Sequence, residues 1–195
     1  MRFSLFRHAP ALAGTGQECS STRLPSLEYP LDLPPRVAVL GLSVRQQQGI
    51  HIFPEWNSQN LNKLRPTTLA GWQQDLEQVG RLCDSGHLAL SDLNYPLLVF
   101  STPEQGPLGE VAQAEMWRWS GVPVYEQIRT REGRLVAVEC DTRNGFHLAE
   151  GSQAEGGDAP CNCGRGVRWL PALAESTAAT RSIESEQYMA AAAGD

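Results

Sequence analysis

Between positions 140 and 163 the chain places three cysteines and a histidine, and any fold it adopts has to accommodate them. The stretch reads Cys140-Asp-Thr-Arg-Asn-Gly-Phe-His147, then a soft connection, then Cys161-Asn-Cys163-Gly164-Arg165-Gly166. Thiolate and imidazole suit a borderline-soft ion, and three of the first with one of the second can close a tetrahedral zinc site. The spacing makes mechanical sense. Val136 to Glu139 reads as a strand, Asn144-Gly145 as a turn, and Phe146 to Leu148 as a returning strand. That hairpin brings Cys140 close to His147. Cys161 and Cys163 sit on a short glycine-bounded loop that can fold over the pair. The plainer alternative is two unrelated buried cysteines, a surface histidine and a reactive Cys-x-Cys. Four suitable donors in so short a stretch favour zinc. Four protein ligands leave no position for water or substrate, so the expected role of the ion is structural.

The rest of the chain predicts an α/β fold with a mainly parallel sheet and flanking helices. Pro96-Leu-Leu-Val-Phe100 is apolar on both faces, as in a parallel strand covered on both sides. Val37-Ala-Val-Leu40 reads as a second buried strand, and Gly49 to Phe53 as a third, with His51 on its polar face. Glu55 to Leu64 reads as a short helix capped by Asn57 or Ser58, and Pro66 stops it. Thr67 to Ala70 is a brief strand. Gly71 is expected to turn the chain into a helix from about Gln73 to Cys83, with Trp72, Leu76, Val79 and Cys83 on one stripe. A further helix is expected from Leu108 to Trp119, and a strand from Val122 to Tyr125. Strand, helix and strand alternate, which is the signature of βαβ units. Residues 31–170 are expected to form this core, with 1–30 an irregular arm punctuated by proline and glycine. Residues 149–160 read as a flexible linker, and 171–195, rich in Ala, Glu and Ser, as a weakly helical or disordered tail.

Composition narrows the function classes. The net charge of −6 argues against a general nucleic-acid surface. No apolar run approaches the roughly 18 residues of a membrane-spanning helix. The five cysteines are odd in number, and Met1 to His8 is too short for a secretory core, so the expected compartment is reduced and cytoplasmic.

Taken in order, several motifs form a recognisable series. They are Leu64-Arg-Pro-Thr-Thr-Leu-Ala-Gly71, a helix, a strand followed by Glu104 and Pro107-Leu108, then Gly121-Val-Pro-Val-Tyr125. Arg131-Glu132-Gly133, Val138-Glu139-Cys140, Gly145-Phe-His147-Leu148 and Cys161-Asn-Cys-Gly-Arg165 follow. Over roughly residues 31–170 this order resembles the phenylacetate–coenzyme A ligase and coenzyme F390 synthetase branch of the adenylate-forming enzymes. The resemblance implies a structural zinc site at Cys140, His147, Cys161 and Cys163. It also implies remnant cofactor contacts at Glu132, which could hold Mg²⁺, and at Glu104. The departures are large. The family's Ser/Thr/Gly-rich phosphate loop has no counterpart, and Ser20-Ser-Thr22 lacks its glycines and preceding strand. Ile128 stands for the aromatic that stacks on adenine, Arg129 for a glycine and Arg131 for a threonine. The ribose-binding segment has shrunk to a linker. The lid domain with its catalytic lysine is absent, and Lys63 is the chain's single lysine. Adenylation needs phosphate cradling, metal placement and charge neutralisation together. One glutamate does not supply them.

The function expected from these residues is a non-catalytic, zinc-stapled remnant of an adenylate-forming core. It would serve as a structural or binding subunit with a protein partner, or as a homodimer. The alternative is part of an AMP-forming ligase that binds an acyl or aryl carboxylate or a nucleotide and is completed by another chain. Arg129 and Arg131, near Glu104, would then be an anion grip, although simple surface charge is the preferred explanation for them. Trp56 and Trp117 are candidates for exposed partner-seeking surface or, equally, for cover by the arm.

Overall fold

The computed structural model describes residues 24–29, 36–154, 156–165 and 167–171. The elements follow in the order β1 (Val37–Leu40), β2 (Ile50–Phe53), α1 (Ser58–Leu64), β3 (Thr68–Trp72), α2 (Gln73–Asp84) and β4 (Leu97–Ser101). They continue with α3 (Glu110–Ser120), β5 (Val124–Arg129), β6 (Leu135–Glu139), β7 (Phe146–Leu148), β8 (Gly156–Ala159) and β9 (Arg168–Pro171). The nine described strands join one sheet in the order β2-β1-β3-β4-β5-β6-β7-β9-β8. Pairing is parallel from β2 to β5 and antiparallel from β5 to β8. The α/β class and the parallel sheet are therefore as the apolar runs require.

Local chemistry explains the element ends. Asn57 caps α1, its side-chain oxygen accepting from the Asn60 amide at 2.9 Å. Arg65 closes the same helix in the left-handed region, with φ of 52°. Gly71, expected at a turn, lies inside β3 instead. The strand runs directly into α2 without a loop. Gly71 is needed for close approach: a Cβ there would stand 3.0 Å from Cβ of Leu40 on the neighbouring strand.

The sheet buries two different faces. On one, Ala38, Leu40, Leu69, Leu97, Val99 and Val124 pack against Leu61 of α1, Leu76 and Val79 of α2, and Met116 of α3. Alternate residues on the same strands (Val37, Val39, Leu98, Phe100) point the other way. All three described helices thus serve one face. The second face is covered in part by the arm: Leu27 and Tyr29 pack on it, together with Leu42 and Val44 from the β1–β2 connection. The rest of the arm, 1–23 and 30, and the proposed tail, 172–195, lie outside the described residues.

Arg129 fastens the arm to the sheet. The side chain is wholly buried. Its guanidinium donates to the Gln127 side-chain oxygen at 2.7 and 3.1 Å, to the Gly133 carbonyl at 2.8 Å and to the Ser26 carbonyl at 3.1 Å. It also stacks 4.9 Å from the centre of the Phe100 ring. The Gln127 amide donates to the carbonyl of Glu28. Burial pulls the arginine's pKa down to about 10, against the opposing pull of the Glu28 charge, still far above neutrality, so the buried group is a cation hydrogen-bonded to neutral acceptors and stacked on a ring. Arg129 is therefore neither an anion grip nor surface charge.

The region expected to be a linker contains β8, paired antiparallel with β9 from Gly156↔Pro171 to Ala159↔Arg168. Apolar side chains did not announce it, because an edge strand of Gly-Gly-Asp-Ala is held by backbone pairing. Trp56 is not partner-seeking surface. It packs against the helical-face core, and its indole N–H donates to Asp75 at 2.8 Å. Trp117 is 62% exposed on α3.

Candidate metal centre

The hairpin logic of the sequence holds in three dimensions. β6 and β7 pair antiparallel, with Val138 opposite His147 and Glu139 opposite Phe146. The tight connection between them is closed by the Cys140 amide donating to the Gly145 carbonyl at 2.8 Å and the Arg143 amide donating to the Cys140 carbonyl at 2.7 Å. Cys140 leaves the end of β6 fully buried, and His147 sits buried within β7. The loop between β8 and β9 carries Cys161 and Cys163 over them. One donor atom from each of the four residues lies within 4.8 Å of all the others. Within the set, Cys140 Sγ is 3.3 Å from Cys161 Sγ, Cys161 Sγ is 3.2 Å from Cys163 Sγ, and Cys163 Sγ is 3.1 Å from His147 Nε2.

The surroundings prepare the donors to hold a cation. Nδ1 of His147 lies 3.0 Å from the Val167 carbonyl. A carbonyl only accepts, so Nδ1 carries the proton and Nε2 presents its lone pair to the cluster. Backbone N–H groups point at the sulfurs. The amide of Cys163 pulls the Cys161 thiol down to about 7, helped by the neighbouring sulfurs. The Arg165 amide donates to Cys163 and the Thr142 amide to Cys140, and the Thr142 hydroxyl stands 3.0 Å from Cys140 Sγ. Donors of this kind favour thiolate over thiol, and the net shift is downward at Cys140 and Cys161; at Cys163 the Arg165 amide is outweighed by the neighbouring sulfurs and by burial, which hold that thiol above its usual value. Three thiolates and one imidazole fit zinc. The structure brings together all four residues that the sequence singled out, while Thr142 and the Val167 carbonyl were missed, since backbone groups and a lone threonine carry no ligand signature.

The remnant cofactor residues fare differently. Glu104 and Arg131 line a cavity of about 430 Å³ at the carboxyl ends of β3 and β4, shared with Trp72, Gln73 and Thr102. Glu132 lines another cavity, of about 820 Å³, bounded by Leu24, Pro25, Leu42 and Arg134. Both carboxylates are held below their usual range by local hydrogen bonds, Glu104 chiefly from the Thr102 side chain and Glu132 chiefly from its own backbone amide. The structure does not bring the two glutamates into one cavity.

The chain order reverses between β1 and β3, the point at which an open α/β sheet leaves a crevice at its carboxyl end. Here that crevice is filled from within. Asp75, in the first turn of α2, holds the Trp56 indole N–H, and the Trp72 indole donates to the Gly41 carbonyl at 3.2 Å. A Cβ at Gly41 would collide with the Asp75 carboxylate and stand 3.1 Å from the Trp72 ring, and Gly41 has φ of +69°. Gly41→Ala should therefore cost about 2 kcal/mol, from left-handed strain and overpacking combined. Urea unfolding midpoints at unchanged m-value check this, and a variant as stable as the parent would refute the packing described.

Glu126 is a buried carboxyl just past the Val122 to Tyr125 strand expected from the sequence, in a strand that continues to Arg129. It lies 2% exposed on β5. The Ser101 hydroxyl donates to it, and the Leu108 amide donates to both oxygens at 2.9 Å, which fixes the loop leading into α3. Burial pushes its pKa up from 4.5 to about 7, against those hydrogen bonds, and Glu139 adds to the rise. The folded state therefore holds a proton that the unfolded chain has lost. Stability should fall as pH rises from about 4.5 through about 7 and level off above, by about 3 kcal/mol in all. Glu126→Gln should flatten that slope in denaturant titrations across the same window. An unchanged slope would show that Glu126 is not its source.

No family model matches the chain, and no curated protein matches it. Among solved structures, it is similar to an open conformation of 2-hydroxyisobutyryl-CoA ligase in complex with 2-HIB-AMP and CoA. Identity is 10% and the TM-score 0.44, over 59% of this chain and 30% of that one. The likeness is distant and concerns the fold alone, and this chain spans less than a third of that ligase.

Proposed function

We propose that this chain is a zinc-stapled α/β unit acting as a structural or binding subunit, without adenylation chemistry of its own. The observation that carries the reading is the closed donor set: Cys140, His147, Cys161 and Cys163 converge within 4.8 Å, and four protein ligands leave no position for a substrate. Two features support the non-catalytic part. The crevice at the β1–β3 reversal is filled by Asp75, Trp56 and Trp72. The positions that answer to the family's adenine-stacking aromatic and flexible glycine are Ile128 and Arg129, both buried in this chain's own packing. A reduced compartment, which we take to be the cytoplasm, suits a centre that needs free thiols. Partnership with another protein or a second copy is supported by the exposed Val111 and Trp117 on α3, since the arm and the β1–β2 connection bury the sheet's second face within the chain itself.

The test has two arms. Protein purified from its own cells should carry close to one zinc per chain and bring a specific partner or a second copy with it. The chain alone should show no carboxylate-dependent exchange of pyrophosphate into ATP. Exchange that disappears on Glu132→Gln would replace this reading with the ligase one.

One observation favours that second reading, in which the chain is the carboxylate- or nucleotide-binding part of an AMP-forming ligase. The 430 Å³ cavity beside Glu104 and Arg131 stands at the carboxyl end of the parallel strands. Equilibrium dialysis with ATP or aryl carboxylates separates the two: saturable binding that Arg131→Ala abolishes supports the ligase reading.

A further inference from the structure

We propose that the four-donor centre is also an oxidation site, at which a peroxide joins Cys140 to Cys161 as a disulfide and expels the metal. This rests on the reading of the centre as a zinc site and adds a reaction to it. Cys161 is the shared neighbour of the other two sulfurs, 3.3 Å from Cys140 Sγ and 3.2 Å from Cys163 Sγ. Cys161 and Cys163 are both partly open to solvent, whereas Cys140 is fully buried. A small oxidant therefore reaches the Cys-x-Cys sulfurs first, and at Cys161 a sulfur from another element that can resolve the product, Cys140, already stands beside it.

The two possible partners differ in what a bond would ask of the backbone. Cys163 is two residues away along one short loop. A disulfide there must close a very small ring, against the dihedral preference of the S–S bond. Cys140 belongs to a different element, at the end of β6, and lies 21 positions away in the chain. A link to it joins two separate segments already held together by the sheet.

The Cys161 thiolate attacks one peroxide oxygen. The O–O bond breaks, hydroxide leaves, and a sulfenic acid remains. The Cys140 thiolate then attacks that sulfur, the S–S bond forms and a second hydroxide leaves. Two thiolates have lost two electrons and the peroxide has gained them; two solvent protons complete two waters. Only His147 and Cys163 are left as donors, too few for a structural zinc site, so the ion passes to solvent. The β8–β9 loop stays tied to β6 by a covalent bond, while Cys163 and the run into β9 lose their tie to the ion.

The test uses the full zinc-loaded chain, prepared without oxygen and titrated with hydrogen peroxide. Released zinc is read with a colorimetric chelator, thiols are counted, and linked peptides are mapped by mass spectrometry. One zinc should leave for every two thiols lost, with Cys140 linked to Cys161. Dithiothreitol and added zinc should restore the starting protein. Cys83→Ala should change nothing, because Cys83 is partly buried on α2 and away from the cluster. Zinc content before peroxide tests the centre itself: protein that never holds zinc removes that reading, and this proposal with it. Zinc that is present but survives excess peroxide overturns the oxidation site alone and leaves the metal reading standing. So does zinc released with Cys161 linked to Cys163, or with Cys161 merely over-oxidised.

Discussion

Chelation should loosen the antiparallel end of the sheet and leave the parallel end folded. The proposed zinc ties three places together: the end of β6 through Cys140, β7 through His147, and the β8–β9 loop through Cys161 and Cys163. Little else holds the last two strands. β7 meets β9 at a single register pair, Phe146↔Trp169. The local core is small: Ile128, Val136, Ala137, Phe146 and Trp169. Structural zinc contributes on the order of 10 kcal/mol to the folding of small finger domains, where binding and folding are one equilibrium. The same linkage applied here is large against the whole stability of a domain, which is about 5–15 kcal/mol. It should be confined to β7, β8 and β9, because the helical-face and arm-face cores contain no residue of these strands. Amide exchange measured with and without a strong chelator should show protection lost in β7 and β9 and kept in β1, β3 and β4. His147→Ala should reproduce the chelated pattern in full medium. Equal protection of β7 and β9 in both conditions would remove the staple from the account.

The second large effect should follow from Arg129→Met. The substitution keeps much of the apolar stem and deletes the guanidinium. It leaves the Gly133 and Ser26 carbonyls and the Gln127 side-chain oxygen without their donor in a buried place. An unsatisfied buried polar group costs about 1–3 kcal/mol, and three of them sharing one donor should cost about 4 kcal/mol after relaxation. Lysine should not rescue it. An ammonium cannot span the three acceptors at the angles the planar fork provides, nor stack as well on Phe100. The arm should come away from the sheet, so limited proteolysis should gain a cut between Leu24 and Tyr29 in the variant. An Arg129→Met protein as stable and as protease-resistant as the parent would show that Leu27, Tyr29 and the remaining hydrogen bonds to Pro25 and Glu28 hold the arm without Arg129.

The two predictions differ in how visible their residues were in the sequence. The four-donor cluster was legible because its chemistry is carried by residue type and spacing: few side chains can ligate a soft cation, and Asn144-Gly145 gives the hairpin that pairs two of them. The parallel strands were legible for a similar reason, since Leu97 to Phe100 must bury both faces. Arg129 was not. An arginine beside Thr130, Arg131 and Glu132 looks like one more charge in a polar turn, and only the partners delivered by Gln127, Gly133 and the distant Ser26 make it a core residue. Gly71 misled for the opposite reason. A glycine before a helix is usually a turn, yet here it lets two strands approach. β8 left no trace, because pairing of a glycine-rich edge is a property of its neighbour's backbone rather than of its own side chains.

The change of strand direction at β5 also sets an order of assembly. Each pairing among β1, β3, β4 and β5 waits for an intervening helix to form and cross over, so its partners are far apart along the chain. Beyond β5 the pairings are short-range: β5 with β6, β6 with β7, β8 with β9, and β7 with β9 about twenty residues on. Closing a short loop costs less chain entropy, and chains dominated by such contacts fold faster. The half that carries the four-donor cluster is therefore the low-contact-order half. With the proposed zinc it would close before the crossovers of the parallel half are complete, so metal supply should set how early in refolding the chain acquires a fixed template strand. Pulse-labelled hydrogen exchange would show this as protection in β5 to β7 ahead of β1 to β4, with the lead shortened when zinc is withheld.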